Sequence, residues 1–344
     1  MCQIRRTSLE DKPPPERPND LYFNCTRLNA STFLIVEHDQ WGENPFIYAK
    51  FHNFTFILID TGCGGKANNK NATLTLRDFL ENTPVSDNNN KPLNPQGAKP
   101  YTIIVSHCHY DHIGGLAEFT REASCTVWAS ALGKEHMYSP SRFLEASLCS
   151  FVGMEPPVCK ITHWADDGQQ VVDFQNRDTG LIIFHTPGHT PDEIAIWDPI
   201  EKYLFVGDTA YERAPILFPP DGNVLDYAKT LDKMRRFIRN WNSPLPPVNS
   251  SPVYMDHRAD EASLRRVKMA CGHITSSIDA ESFIGGLSNF LNDIKNGRAV
   301  AITDDKLSWV PPWLLGKKVE EYQQPGGQIS FIGPTSYFEA FKKS

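Results

Sequence analysis

Residues 106–112 of this 344-residue chain read Ser-His-Cys-His-Tyr-Asp-His, which sets His107, His109, Asp111 and His112 within one short stretch. Neutral imidazoles and carboxylates are the ligands that suit zinc and related divalent ions. The preceding run, Tyr101-Thr-Ile-Ile-Val105, is β-branched and apolar and reads as a buried strand. Gly114-Gly115 and then Leu116-Ala-Glu-Phe119 at helical spacing follow it. The histidines are thus expected on a loop at a strand end, opening a helix. A solvated polar loop is the plain alternative, and the strand-loop-helix context outweighs it.

The elements that must bring partners to this loop repeat one design. Leu181-Ile-Ile-Phe-His-Thr-Pro-Gly-His-Thr190 is an apolar strand followed by a Pro-Gly turn that carries His189. Tyr203-Leu-Phe-Val-Gly-Asp-Thr209 is a strand ending at Asp208, and Arg266-Val-Lys-Met-Ala-Cys-Gly-His273 is a short strand ending at His273. A single histidine after a strand is more often a satisfied polar residue than a ligand. Repetition of the pattern in one chain points to one constructed site.

Together these motifs, His-x-His-x-Asp-His, Pro-Gly-His, Gly-Asp and Gly-His, resemble those of the metallo-β-lactamase superfamily. Asp60, in Ile-Leu-Ile-Asp-Thr-Gly, resembles the family's first motif, a structural aspartate that braces the metal loop. The resemblance spans roughly residues 30–275. It implies an α+β fold of four layers, an αβ/βα sandwich with two sheets back to back, helices outside and metals at one edge. It also implies that His107, His109 and His189 hold one metal, that Asp111, His112 and His273 hold a second, and that Asp208 bridges them.

Seven ligands exceed the four of a tetrahedral zinc, so two divalent ions are expected, zinc first, with iron or manganese compatible with the same donors. Two ions about 3.5–4 Å apart can clamp a hydroxide for attack on a carbonyl. Asp111 is the expected catalytic residue that orients this nucleophile or carries its proton.

Composition bounds the rest. The apolar share of 40% and charged share of 22% are ordinary for a globular chain, here read as a flexible segment at 1–20 and a single domain over 21–344. Insertions are expected around 133–160 and 211–260, and a C-terminal extension from about 299. Net charge is −7, and Arg235-Arg236 and Arg265-Arg266 read as solvated helix faces, which argues against a nucleic-acid partner and against the nucleases of the family. No apolar run approaches 18 residues, so no membrane partner is expected, and the start of the chain lacks a signal-peptide core. A cytoplasmic location and reduced thiols follow as expectations. The eight cysteines form no Cys-x-x-Cys pair, and Cys108 and Cys271, each beside a ligand, read as small buried residues.

Substrate class must come from what surrounds the metals. Tyr211 lies three residues after Asp208, an offset similar to that of a tyrosine in the superfamily's lactonases, and a phenol there could stabilise an oxyanion. Ala214-Pro-Ile-Leu-Phe-Pro-Pro-Asp-Gly222 is an apolar, stiff loop expected to overhang the metals, and a helical segment with Phe143, Leu144, Leu148 and Phe151 is expected to cover them. Trp309, Trp313, Tyr322 and Phe331 in the tail read first as core. The expectation is a small-molecule hydrolase that opens a lactam or lactone of a small, fairly hydrophobic molecule by attack of a metal-bound hydroxide. A thioesterase of acyl-thioester or glyoxalase II kind is the alternative. An iron-dependent redox enzyme of the same fold ranks behind both.

Overall fold

The computed structural model describes residues 22–158, 160–243, 266–303, 306–307 and 309–344. The N-terminal 1–20 segment, most of the distal part of the 211–260 insertion, and Arg265 therefore lie outside the described residues.

Strands β1 (Phe23–Arg27), β2 (Thr32–Glu37), β3 (Phe46–Phe51), β4 (Phe56–Ile59), β5 (Tyr101–Ile104), β6 (Thr126–Ser130) and β7 (His163–Ala165) form a seven-stranded sheet in that order. Its first four strands meander antiparallel, and β4 to β7 run parallel. The central strands β4 and β5 are buried on both faces, which is why they read as unbroken apolar runs rather than alternation. Next come β8 (Gln169–Val172), β9 (Asp178–His185), β10 (Ile194–Asp198), β11 (Tyr203–Phe205), β12 (Pro215–Leu217), β13 (Lys268–Ala270) and β14 (Ile278–Asp279). All but β12 build the second sheet, ordered β14-β13-β11-β10-β9-β8.

The two sheets bury their facing sides against each other. Ile57, Ile59 and Ile104 from the first meet Ile183, Ile196 and Phe205 from the second in one apolar cluster. On β10 the alternate residues Ala195 and Trp197 point the other way, into a second cluster with the outer helices. The helix Val224–Asn242 joins that cluster through Tyr227, Leu231, Met234 and Ile238, spaced three and four apart. Asn223 caps it, its side chain accepting from the N–H groups of Leu225 and Asp226. Asp279 caps the helix Ala280–Lys295 in the same way. The helix Leu76–Asn82, capped by Thr75, covers the outer face of the first sheet through Phe79 and Leu80. Helix, sheet, sheet, helix are the four layers of an α+β sandwich.

Two regions depart from the sequence reading. The helix after β5 starts at Tyr110, ahead of Gly114, so Asp111 and His112 ride on the helical turn itself, with His109 at its N-cap position. The C-terminal extension from about 299 carries regular structure of its own. Strands β15 (Ala301–Thr303), β16 (Val319–Gln323) and β17 (Ser330–Pro334) form a third sheet, and β17 pairs in parallel with β12. Tyr322 and Phe331 are buried core residues, as expected of them.

Candidate metal centre

Every candidate ligand follows the C-terminal end of a strand, and the strands concerned end at one edge of the sandwich. His107 follows β5, His189 follows β9, Asp208 follows β11 and His273 follows β13, while the bracing Asp60 follows β4. Backbone bonds tie the two sheets together there: Ile194 N–H donates to Ser106 O at 2.9 Å, and Phe46 N–H donates to Gly272 O at 2.7 Å. Gly272 has no room for a side chain, because a Cβ there would strike Asp208 Oδ1 and lie 2.8 Å from His112 Cε1.

All seven expected ligands converge, each at most 6% exposed. Their donor atoms form the overlapping groups His107–His109–His189, His107–His112–Asp208 and Asp111–His112–His273. In the first, His107 Nε2 and His189 Nε2 lie 3.0 and 3.1 Å from His109 Nδ1. One ring nitrogen cannot satisfy two others at once, whereas a cation between them satisfies all three. In the third, His273 Nε2 lies 3.1 Å from Asp111 Oδ2 and 3.5 Å from Asp208 Oδ2. His112 Nε2 and Asp208 Oδ1 are buried without a hydrogen-bond partner, as donors waiting for a metal would be. The residues fit a divalent cation.

The far ring nitrogens fix the orientation of this set. His189 Nδ1 bonds Leu217 O at 2.8 Å, and His273 Nδ1 bonds Glu43 O at 2.9 Å. A ring nitrogen facing a carbonyl must carry a proton, so Nε2 is the nitrogen turned inward, towards the other donors. Asp60 accepts from His112 Nδ1 at 2.8 Å, and from the N–H and hydroxyl of Ser106 at 2.7 Å each. It does so from a left-handed backbone, φ 62°, that a branch-free polar residue tolerates at some cost. This is the bracing position the sequence assigned it.

Electrostatics split the cluster. Burial pushes His107 well below the usual imidazole range, lowers His109 to about 3, and lowers His189. Burial opposes charge on His112 and His273 as well, but Asp111 and Asp208 outweigh it and hold both well above the usual range. Despite burial, His112 and His273 keep the Asp111 carboxyl low, and His273 and His112 do the same for Asp208.

Beside the ligands opens a narrow cleft whose walls include Glu43, Tyr110, Leu148, Tyr211, Leu217 and Trp313. Leu148 comes from the covering helices and Leu217 from the apolar loop, so two expected walls reach the site, and Trp313, which reads first as core, adds a third from the tail. Tyr211 lines the cleft too, its ring centroid 6.0 Å from that of His273. It is buried, and its hydroxyl donates to Pro215 O at 3.1 Å. Cys108 and Cys271 are buried, and burial pushes both thiols up.

Sequence reasoning missed several supports. Glu43 accepts from the Tyr110 hydroxyl at 2.6 Å while its carbonyl holds His273. Glu37 accepts from the N–H groups of Cys63, Gly64 and Gly65 at 2.7, 3.3 and 2.7 Å. That loop in turn grips the ligand helix, with Gly114 N–H donating to Gly62 O at 2.7 Å. Glu193 accepts from Asp208 N–H at 2.7 Å. Each is an ordinary acidic residue whose partners are remote in sequence, so no local spacing marks it.

A sandwich of this kind, with buried His and Asp donors gathered at one edge, defines a protein built around a candidate metal centre. Residues 52–237 match the model of the metallo-beta-lactamase superfamily, and the chain belongs to that superfamily. It is 33% identical over 80% of its length, and 77% of the relative's, to a protein of Aspergillus versicolor named "Putative transcription factor avaE". It is 28% identical to the acyl-coenzyme A thioesterase MBLAC2 of Gallus gallus, covering 63% of this chain and 76% of that one. A hydroxyacylglutathione hydrolase of Bdellovibrio bacteriovorus is 23% identical over 64% of this chain and 75% of its own. Among solved structures, a metallo-beta-lactamase family protein from Thermus thermophilus superposes with TM-score 0.53 at 17% identity, over 79% of this chain and 82% of that one. The chain is a hydrolase of this superfamily with residues that fit divalent metal.

Proposed function

We propose that this hydrolase cleaves an acyl thioester of a small molecule at a centre of two divalent ions, zinc in the first instance. One ion would be held by His107, His109 and His189, the other by Asp111, His112 and His273, with Asp208 between them. The observation that carries the two-ion reading is the pair of donor groups that Asp208 joins, with buried, unpartnered atoms on His112 and Asp208. Two divalent ions there would polarise the acyl carbonyl and keep a water deprotonated at neutral pH.

The chain's own residues do the rest. His189 and His273, locked by Leu217 O and Glu43 O, keep the donors aimed without reorganisation. Asp111 Oδ2, beside His273 Nε2, is the acceptor for a proton leaving the attacking water. Leu148, Leu217 and Trp313 exclude bulk water from the acyl group. A thiol leaves readily as thiolate, with an ordinary pKa of about 8.5, and needs little proton donation. A ring amide needs more, and the Tyr211 proton is engaged with Pro215 O. The likeness to proteins named as a thioesterase and a hydroxyacylglutathione hydrolase favours the same class.

A second reading, ring-opening of a lactone or lactam, draws support from Tyr211 beside His273 in the cleft wall. It requires Tyr211 to release Pro215 and turn to the substrate. Binding of DNA, suggested by the name of the Aspergillus versicolor relative, is disfavoured by a net charge of −7.

The test is turnover of the zinc-loaded protein on matched thioester, lactone and lactam panels, with metal content measured on the same sample. Thioester turnover at close to two ions per chain is expected. Turnover of rings alone would replace the first reading with the second, and a reproducible single ion with full activity would end the two-ion reading.

A further inference from the structure

The single helical turn Cys149–Val152 stands between two residues with left-handed backbone, Leu148 at φ 58° and Gly153 at φ 68°. A leucine adopts that conformation only where its surroundings impose it. Here the ligand helix helps to impose it, because Tyr110 N–H, between His109 and Asp111, donates to Ser147 O at 2.9 Å. Phe151 N–H donates to Leu148 O at 3.0 Å, so both side chains leave one turn. Leu148 is buried and lines the cleft, whereas Phe151 is 48% exposed. The Phe151 ring stands edge-on to Trp313, another residue of the cleft wall, with centroids 6.3 Å apart.

A single exposed phenylalanine is ordinary on a protein surface. This one continues the cleft. The buried cluster of Tyr110, Leu148 and Trp313 extends outward into Leu144, Val152 and Trp309, each partly open to solvent. Apolar surface therefore runs from the cleft wall, through Trp313, to the accessible Phe151 ring. Beyond the metal ligands the wall offers Glu43 and no Lys or Arg, so an anionic substituent finds no partner on it. An uncharged hydrocarbon chain suits such a path, because every carbon laid along it leaves water.

Resting on the reading that this site cleaves a thioester, we infer that Phe151 is a specificity-determining residue for the acyl chain. The first carbons lie against Leu148, Leu217 and Trp313, and the chain passes Trp313 to cover the exposed Phe151 ring. The preferred substrates carry a straight, uncharged acyl chain long enough to reach that ring, octanoyl rather than acetyl.

The acetyl, butanoyl, hexanoyl and octanoyl thioesters of N-acetylcysteamine test this on the zinc-loaded protein. A fully buried methylene is worth up to about fourfold, so kcat/KM should rise by roughly two- to fourfold per methylene, mostly through KM. In Phe151→Ala the octanoyl-to-butanoyl ratio should fall by roughly five- to tenfold, and Phe151→Leu, which returns apolar surface, should recover most of it. Phe151→Gln keeps bulk without apolar surface and serves where Phe151→Ala does not fold. Binding of butanoate and octanoate to the zinc-loaded protein, measured by calorimetry, reads the same discrimination without any turnover. Absence of thioester hydrolysis together with a Phe151-dependent preference for octanoate would sink the thioesterase reading alone. A long-chain preference that survives Phe151→Ala, or no such preference in either measurement, would overturn the role of Phe151.

Discussion

The two halves of the metal centre are built on opposite principles. Around His109 three imidazoles face one another, the nearest Asp208 oxygen is 3.8 Å from His189, and burial keeps the rings neutral. Around His112 and His273 each ring looks onto carboxylates, and in the metal-free chain the carboxylates hold protons on those rings against the pull of burial. The first half is thus a set of lone pairs ready for a cation. The second is a charge-balanced cluster in which a cation must displace protons. Asp208 belongs to both, and its substitution should have the largest effect. Asp208→Ala should lower turnover by more than about 1000-fold and drop metal content below one ion per chain, because it removes a shared anion from both halves. Elemental analysis with one half still fully loaded would show that the halves are independent.

Asp60→Ala should come next. It strips the partner from His112 Nδ1 and from both donors of Ser106, all buried. Leaving such groups unpaired costs about 3 kcal/mol or more in total, read as a fall in melting temperature. Metal affinity at the His112 half should fall roughly 10–100-fold, as it does when the group behind a ligating histidine is lost. Through Ser106, whose hydroxyl is 3.1 Å from His107 Nδ1, a smaller loss should reach the first half. Asp111→Asn, by contrast, should reduce turnover far more than occupancy of the His109 half, since Asp111 makes its close pairs with His112 and His273. Equal loss of both ions would assign Asp111 a purely structural role.

Acid and base should separate the halves in the metal-free protein. A histidine held below its unfolded value resists a proton that the unfolded chain accepts, so His109 should cost stability as pH falls from 6.5 towards about 3. A histidine held above it stabilises the fold below its unfolded value, and that contribution is lost as pH rises through the folded value. His112 and His273 should therefore lose stability on the alkaline side. Chelator-treated His109→Gln should flatten the acid limb of a denaturation profile and His273→Gln the alkaline limb. Identical profiles for the two variants would erase the contrast.

The same contrast marks how far the sequence could be read. Each ligand follows a strand within three to eight residues, so local periodicity and the turn residues expose it, and the resemblance of Asp60 and the His-x-His-x-Asp-His run to one superfamily supplies the sandwich. The cleft wall is different. Leu217 is placed by β12, whose partner β17 lies more than a hundred residues along the chain, and Trp313 hangs from the turn between β15 and β16 of the same sheet. Such pairing has no local period. Glu37 and Glu193 act through backbone N–H groups of distant loops, which carry no residue type to recognise, and Glu43 meets the Tyr110 hydroxyl and, through its own carbonyl, the His273 ring, both far along the chain.

Tyr211 should give the smallest effect, and it sharpens the contrast between ligand shell and wall. The residue sits in the wall, not among the donors, and its one proton is donated to Pro215 O. A phenol has a single proton to give, so it can polarise a substrate carbonyl only after breaking that bond. Losing a working oxyanion donor costs about 100- to 1000-fold in turnover. Tyr211→Phe should cost less than about tenfold on the best thioester, with metal content unchanged, because only the hold on the Pro215 turn is lost. A loss in the hundreds with full metal occupancy would show that Tyr211 turns to the substrate, and the balance would then swing to ring-opening of a lactone or lactam.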